Sequence, residues 1–143
     1  MRELRLPLLW RALGWLMLVG LVVIMAMPTP AVDINLKRPD LYIHVLVFAL
    51  LGGWTAQIYR RAAALLWRGL GLIAFGMSTE VMQALIPWRS ADWDDVLANS
   101  LGVALGLAIA PTPLGRIVQR IESWLFGPPR DAERTDRRSG ADA

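Results

Sequence analysis

The pattern of this chain predicts an all-α integral membrane bundle of four transmembrane helices followed by a short amphipathic helix. Apolar runs of bilayer length alternate with short charged or proline-containing breaks, hydrophobic residues make up 55% of the chain, and the mean hydropathy is +0.42. The basic residues are distributed unevenly between the two sets of breaks. A length of 143 residues allows one domain, expected over residues 1–126, with a tail at 127–143. With no cysteine, disulfides, thiolate metal sites and cysteine nucleophiles are excluded. The formal charge of +3 does not mark a nucleic-acid partner, because the arginines flank apolar spans, where topology accounts for them.

The first span runs from Leu8 to Met27 and stops at Pro28-Thr29-Pro30. Its basic start resembles a signal peptide, but the apolar run is long and no small-x-small cleavage site precedes Pro28, so it is expected to stay as a helix. The second runs from Leu41 to Ile58 and is closed by Tyr59-Arg60-Arg61. The third is placed at 68–87, with a start that can slide because Ala62 to Trp67 is also apolar. The fourth spans 93–110 and ends at Pro111-Thr112-Pro113. At roughly 18–20 residues each, the spans rise about 27–30 Å, matching a hydrocarbon core of ~30 Å.

Twelve arginines lie at the N-terminus, in the second connection and after the fourth span, against Lys37, Arg38 and Arg89 on the opposite side. The positive-inside rule then puts both termini in the cytoplasm and turns the acidic loop before the fourth span outward. Trp10, Trp67 and Trp124 fall near the inner interface, Trp88 and Trp93 near the outer. Beyond the fourth span, Leu114, Ile117, Val118, Ile121, Trp124 and Leu125 recur at helical spacing opposite Arg116, Gln119, Arg120 and Glu122. This is the pattern of a helix over 114–126 lying on the inner leaflet; an exposed partner-binding helix is the alternative. After Gly127-Pro128-Pro129 the composition is that of a disordered cytoplasmic tail.

Within this apolar chain sits a polar cluster. On the fourth span Asp92, Asp95, Asn99, Gly102 and Gly106 are spaced three and four apart and share one face. On the third, Gly76, Glu80 and Gln83 form a similar stripe; on the second, His44, Phe48, Gly52 and Thr55 do so. Three helices thus bring polar groups to one depth near the outer surface. Intramembrane ionisable groups are costly and default to a functional hypothesis.

Each member also has a plain structural reading. His44 and Asn99 can serve as interhelical hydrogen-bonding groups. Asp92, Asp94 and Asp95 can be a solvated loop and a helix start, with Asp92 as N-cap. Arg89 can simply pair with them. Gly102 and Gly106 read as packing residues. Glu80 is hardest to dismiss, since a buried carboxylate must be paired, protonated or hydrated.

At these residues the chain resembles a known family. His44-x-x-x-Phe48, Glu80-x-x-Gln83 and Pro87-x-Arg89-x-x-Asp92-x-x-Asp95-x-x-x-Asn99-x-x-Gly102 look like the signature of VanZ-like membrane proteins, over Pro39 to Ala110. That family takes its name from a low-level teicoplanin resistance protein. The resemblance implies a bacterial inner-membrane protein linked to the cell envelope or its antibiotics, without an established reaction. One departure is visible: the family's Asp-Lys pair before the histidine is here Asp40-Leu41, with Lys37 and Arg38 upstream.

The expected site acts on or binds an envelope lipid or lipid-linked precursor presented from the lipid bilayer. His44, Glu80 and Asp95 are the candidate catalytic groups, with Glu80 or His44 as general base. Gln83, Arg89, Asp92 and Asn99 are the candidate ligand contacts, Arg89 meeting a phosphate or carboxylate. No cofactor is assigned. His44, Glu80, Asp92 and Asp95 are the groups a cation would use, but residues on separate helices carry no ligand spacing, so no metal is assigned either. A non-enzymatic assembly or partner-binding role, with the cluster purely structural, is the alternative. Ion passage is disfavoured because the inner halves of the spans are apolar or glycine-lined. The oligomeric state is left open.

Overall fold

The computed structural model describes residues 4–27, 38–87 and 92–127. Among these the chain is entirely helical outside its connections: α1 (Pro7–Ala26), α2 (Pro39–Ile58), α3 (Ala62–Ala84), α4 (Trp93–Ala108), a single 3-10 turn (Pro113–Arg116) and α5 (Ile117–Phe126). Pro7 and Pro39 sit in the first turns of α1 and α2, where a missing N–H costs nothing. Met27, ahead of Pro28, is already extended, as a residue before proline prefers.

Three of these helices are individually long and apolar enough to cross a bilayer, and a fourth span is reached when α4 is taken with the segment after it. α4 itself has 16 residues, a rise of about 24 Å, and the following segment turns from it by 74°. α3 starts at Ala62, earlier than the expected 68, and ends at Ala84. Arg68 therefore lies inside the helix, its guanidinium 5.0 Å from the centre of the Tyr59 ring. Alanines and leucines carry the helix through Ala62–Trp67, and the ring contact lets the charge sit within it.

α2 packs chiefly on α4, with α3 against α4 and α1 along α2 and α3. The α2–α4 seam is backbone against backbone. A Cβ on Gly102 would fall 2.4 Å from the Val45 carbonyl oxygen, and one on Gly106 would fall 2.3 Å from that of Ala49. Only glycine permits this approach, the use expected of the Gly-x-x-x-Gly step. The core lies between the helices around Leu21, Met25, Phe48, Leu51, Leu72 and Val103. Large apolar side chains such as Trp15, Leu46, Leu66 and Leu101 point outward, which suits a hydrocarbon surround rather than water.

α5 departs from expectation on one face. Glu122, expected on the polar side, is buried. Its carboxylate accepts the backbone N–H groups of Arg5 at 2.7 Å and Leu6 at 2.9 Å, and the Trp10 indole N–H at 2.6 Å. These donors surround the start of α1, where N–H groups lack intrahelical partners. Gln57 ties the same region to α2, donating to the Leu114 carbonyl at 2.8 Å and accepting from the Val118 N–H at 3.2 Å. Ile117, Ile121, Trp124 and Leu125 are left on the outer face.

Candidate functional site

The end of the bundle opposite Glu122 is built from the start of α2, the end of α3 and the start of α4. His44 stands in the second turn of α2, Glu80 near the end of α3, and Asp95 and Asn99 in the first two turns of α4. All four are buried, Asn99 completely. The close α2–α4 seam brings His44 to Asn99: the imidazole Nδ1 and the Asn99 Oδ1 are 2.9 Å apart. Asn99 Oδ1 can only accept, so Nδ1 is the donor, and in the neutral ring Nε2 is the nitrogen that carries the lone pair. Nε2 lies 3.7 Å from Asp95 Oδ2, and Nδ1 lies 4.0 Å from Glu80 Oε1.

Hydrogen bonding in this cluster is incomplete. Glu80 Oε1, Asp95 Oδ1 and Asn99 Nδ2 are buried and have no hydrogen-bond partner among the described residues. Glu80 Oε2 receives a single long bond, 3.5 Å, from the Asp92 N–H. Buried polar atoms are normally paired, so three orphans within one cluster call for an explanation. His44, Glu80 and Asp95 each offer a ligand-type atom, and these atoms lie within 4.8 Å of one another. Beside Glu80, a cavity of about 260 Å³ opens between α3 and α4, walled mainly by Met77, Val81, Ala84, Trp93 and Val96. The chemistry available is proton exchange on a carboxylate or imidazole, cation binding, and contact with a polar group attached to an apolar one.

The remaining expected contacts are arranged differently. Gln83 is buried and directs its amide nitrogen to the Met25 sulfur of α1 at 3.3 Å. Asp92 caps α4: its Oδ1 accepts from the Asp94 N–H at 3.0 Å and its Oδ2 from Arg38 at 2.7 Å. Those bonds hold its carboxyl below the usual range, the Asp94 N–H foremost and then the Arg38 charge. The Asp92 carboxylate is therefore engaged at the rim, while the residue lines the cavity beside Glu80 and donates its N–H to it. Arg89 lies outside the described residues.

Arg38, noted in the sequence only as an outward basic residue upstream of Asp40, is the rim residue not assigned to the site. Its guanidinium meets Asp94 and Asp92 and, at 3.4 Å, Asp40, which raises its pKa further, the Asp94 bond first. Its backbone is left-handed, φ 55°, immediately ahead of Pro39. The signal was present in a basic residue two positions before Asp40, but nothing in the spacing joins it to acids more than fifty residues away. Arg38 thus places a guanidinium at the rim, where Asp40, Asp92 and Asp94 engage it.

No curated protein and no solved structure gives a significant match to the chain. A family model described as VanZ/LLP1 matches residues 29–116. That is more than half of the chain, and with three to four bilayer-length helices the protein is a multi-pass membrane protein belonging to the VanZ/LLP1 family.

Proposed function

We infer that the His44–Glu80–Asp95 cluster binds, or acts on, an envelope lipid or lipid-linked precursor entering from the outer leaflet. One observation carries this reading. Incompletely satisfied polar groups, buried among three helices, share Glu80 with an apolar-walled cavity between α3 and α4. A ligand with a polar head and an acyl or prenyl tail matches both halves: the tail lies along Met77, Val81 and Val96 while the head meets the carboxylates. The outward orientation follows from the arginine distribution, which favours both termini on the cytoplasmic side of the inner membrane. Membership of the VanZ/LLP1 family adds an envelope context, with glycopeptide susceptibility, and teicoplanin in particular, as the phenotype to measure.

The decisive test is conservative substitution with membrane expression checked: Glu80→Gln, His44→Gln and Asp95→Asn. Variants that insert normally but lose binding of phospholipid or lipid-linked precursor, together with any effect on teicoplanin susceptibility, support the site. Retained binding and phenotype in all three would remove it. A periplasm-active reporter fused after Ala143 is expected to be silent.

A second reading rests on the His44–Asn99 bond, which joins α2 to α4 and serves assembly without any ligand. In that case the three substitutions lower the amount of folded protein, and the phenotype falls only in proportion to it.

A further inference from the structure

We propose that His44, Glu80 and Asp95 form a binding site for a divalent transition-metal ion of the Zn²⁺ type. The proposal rests on reading this cluster as a ligand site and names the ion that the site holds.

The geometry comes first. His44 Nε2 and Asp95 Oδ2, at 3.7 Å, are too far apart for a direct hydrogen bond. Two ligand atoms each about 2.1 Å from a tetrahedral zinc ion stand roughly 3.4 Å apart. A small rotation of either side chain therefore brings the pair to ligating distance. His44, Glu80 and Asp95 together offer ligand-type atoms that all lie within 4.8 Å of one another, Glu80 Oε1 being 4.0 Å from Nδ1 of the same ring. One imidazole and two carboxylates give a mixed N/O set that leaves an open position for water or a substrate oxygen.

The surrounding bonds point the same way. A metal-bound histidine normally donates its other ring N–H to a carbonyl or carboxylate, which fixes the tautomer and aims the lone pair. Asn99 Oδ1 takes that position at 2.9 Å from Nδ1, leaving Nε2 turned toward Asp95. Glu80 is 4% exposed and Asp95 6%, and each has an oxygen with no hydrogen-bond partner among the described residues. An ionised carboxylate has only lone pairs to offer, so such an oxygen needs a donor or a cation. The described basic side chain at the rim, Arg38, is engaged by Asp40, Asp92 and Asp94. Two neighbouring carboxylates without a cation repel, whereas a divalent ion neutralises both. Asp92 stays outside the ligand set because its two oxygens serve the α4 cap and Arg38.

The experiment uses the full chain purified in detergent, stripped with a chelator and desalted. Co²⁺ is titrated while its visible ligand-field absorption is followed, Zn²⁺ is then added as competitor, and bound Zn²⁺ per chain is counted by elemental analysis. The expected result is one Zn²⁺ per chain and a Co²⁺ spectrum that Zn²⁺ abolishes. His44→Gln, Glu80→Gln and Asp95→Asn should each remove stoichiometric uptake. Asn99→Leu, which removes only the outer partner of the imidazole, should weaken it by about 10–100-fold. Asp94→Asn, at the rim, should leave it unchanged. Because uptake by the unaltered protein is itself decisive, misfolding of a variant does not rescue the idea. Folded wild-type protein that acquires neither ion, or uptake that survives all three ligand substitutions, overturns it. Phospholipid binding measured on the stripped and loaded protein separates the two readings. Lipid binding without ion uptake removes the ion and keeps the lipid site, whereas ion uptake without lipid binding does the reverse.

Discussion

His44 Nδ1 and Asn99 Oδ1 lie 2.9 Å apart, joining α2 to α4 inside the apolar bundle. The bond sets the imidazole tautomer and thus what Nε2 can do. Asn99→Leu removes the acceptor and strands the ring N–H in a buried position, which costs about 1–3 kcal/mol. Thermal or denaturant unfolding in micelles should register that loss, and Asn99→Gln should not restore it, because the longer amide has no room beside Phe48 and Gly76, whose Cβ would sit 3.1 Å from both Phe48 and Asn99. Wild-type stability in Asn99→Leu would show that the bond contributes nothing.

The α2–α4 seam yields a contrast between glycines. Gly106→Ala places a methyl group 2.3 Å from the Ala49 carbonyl oxygen, so the helices must separate. Overpacking of this kind costs about 1–3 kcal/mol, and here it also widens the His44–Asn99 gap. Gly20, by comparison, has nothing within 4 Å of an added Cβ. Gly20→Ala in the middle of α1 should stabilise by about 0.5–1 kcal/mol through backbone entropy alone. Unfolding of the two variants side by side checks the sign, and equal effects would contradict the seam.

How far the sequence could be read depended on what each inference needed. The stripe Asp95–Asn99–Gly102–Gly106 was legible because helical periodicity alone puts those residues on one face, and α2 lies against that face. His44 and Glu80 joined it by depth, since distance along a helix measures distance below the surface. Side-chain partners across helices were not legible, because they depend on how closely two backbones approach. Gln83 shares its stripe with Glu80 yet bonds Met25 of α1. Glu122 looked like a surface residue because three of its neighbours are polar, and its partners lie more than a hundred residues away. The start of α3 was ambiguous because Arg68 resembles a boundary charge until Tyr59 is seen beneath it.

The rim ion cluster predicts a pH dependence with a definite sign. Asp92 has its pKa lowered on folding, by the Asp94 N–H and then by Arg38. A lowered folded-state value means that its stabilising contribution is complete above the unfolded carboxyl pKa of about 4 and is lost as pH falls through the lower folded value. The stability difference between wild type and Asp92→Asn should therefore be flat from neutral pH down to about 4 and shrink below it. High salt should reduce the difference, because Asp92 and Arg38 are both exposed. A difference that instead grows on acidification would reverse the assigned sign.

At the opposite end, Glu122 gathers three N–H donors, two from Arg5 and Leu6 just ahead of α1 and one from Trp10 in its first turn. Hydrogen bonds to a charged acceptor contribute about 1.5–3 kcal/mol each, although three bonds to one carboxylate do not add independently. Glu122→Gln keeps the size but replaces one acceptor oxygen with a donor, so at least one of the Arg5, Leu6 and Trp10 N–H groups loses its partner. Glu122→Ala loses all three. The expected order of stability is wild type, then Gln, then Ala, with the Ala variant destabilised by at least about 2 kcal/mol. Hydrogen exchange should rise first at Arg5, Leu6 and along α5, while the amides around His44 and Asn99 keep their protection, because Phe48, Leu51 and Val103 separate the two ends. Metal uptake and lipid binding at the far cluster should persist in Glu122→Gln. If they fell in step with α5 exchange, the two ends would be coupled through the core, and the independence argued from that apolar layer would be wrong.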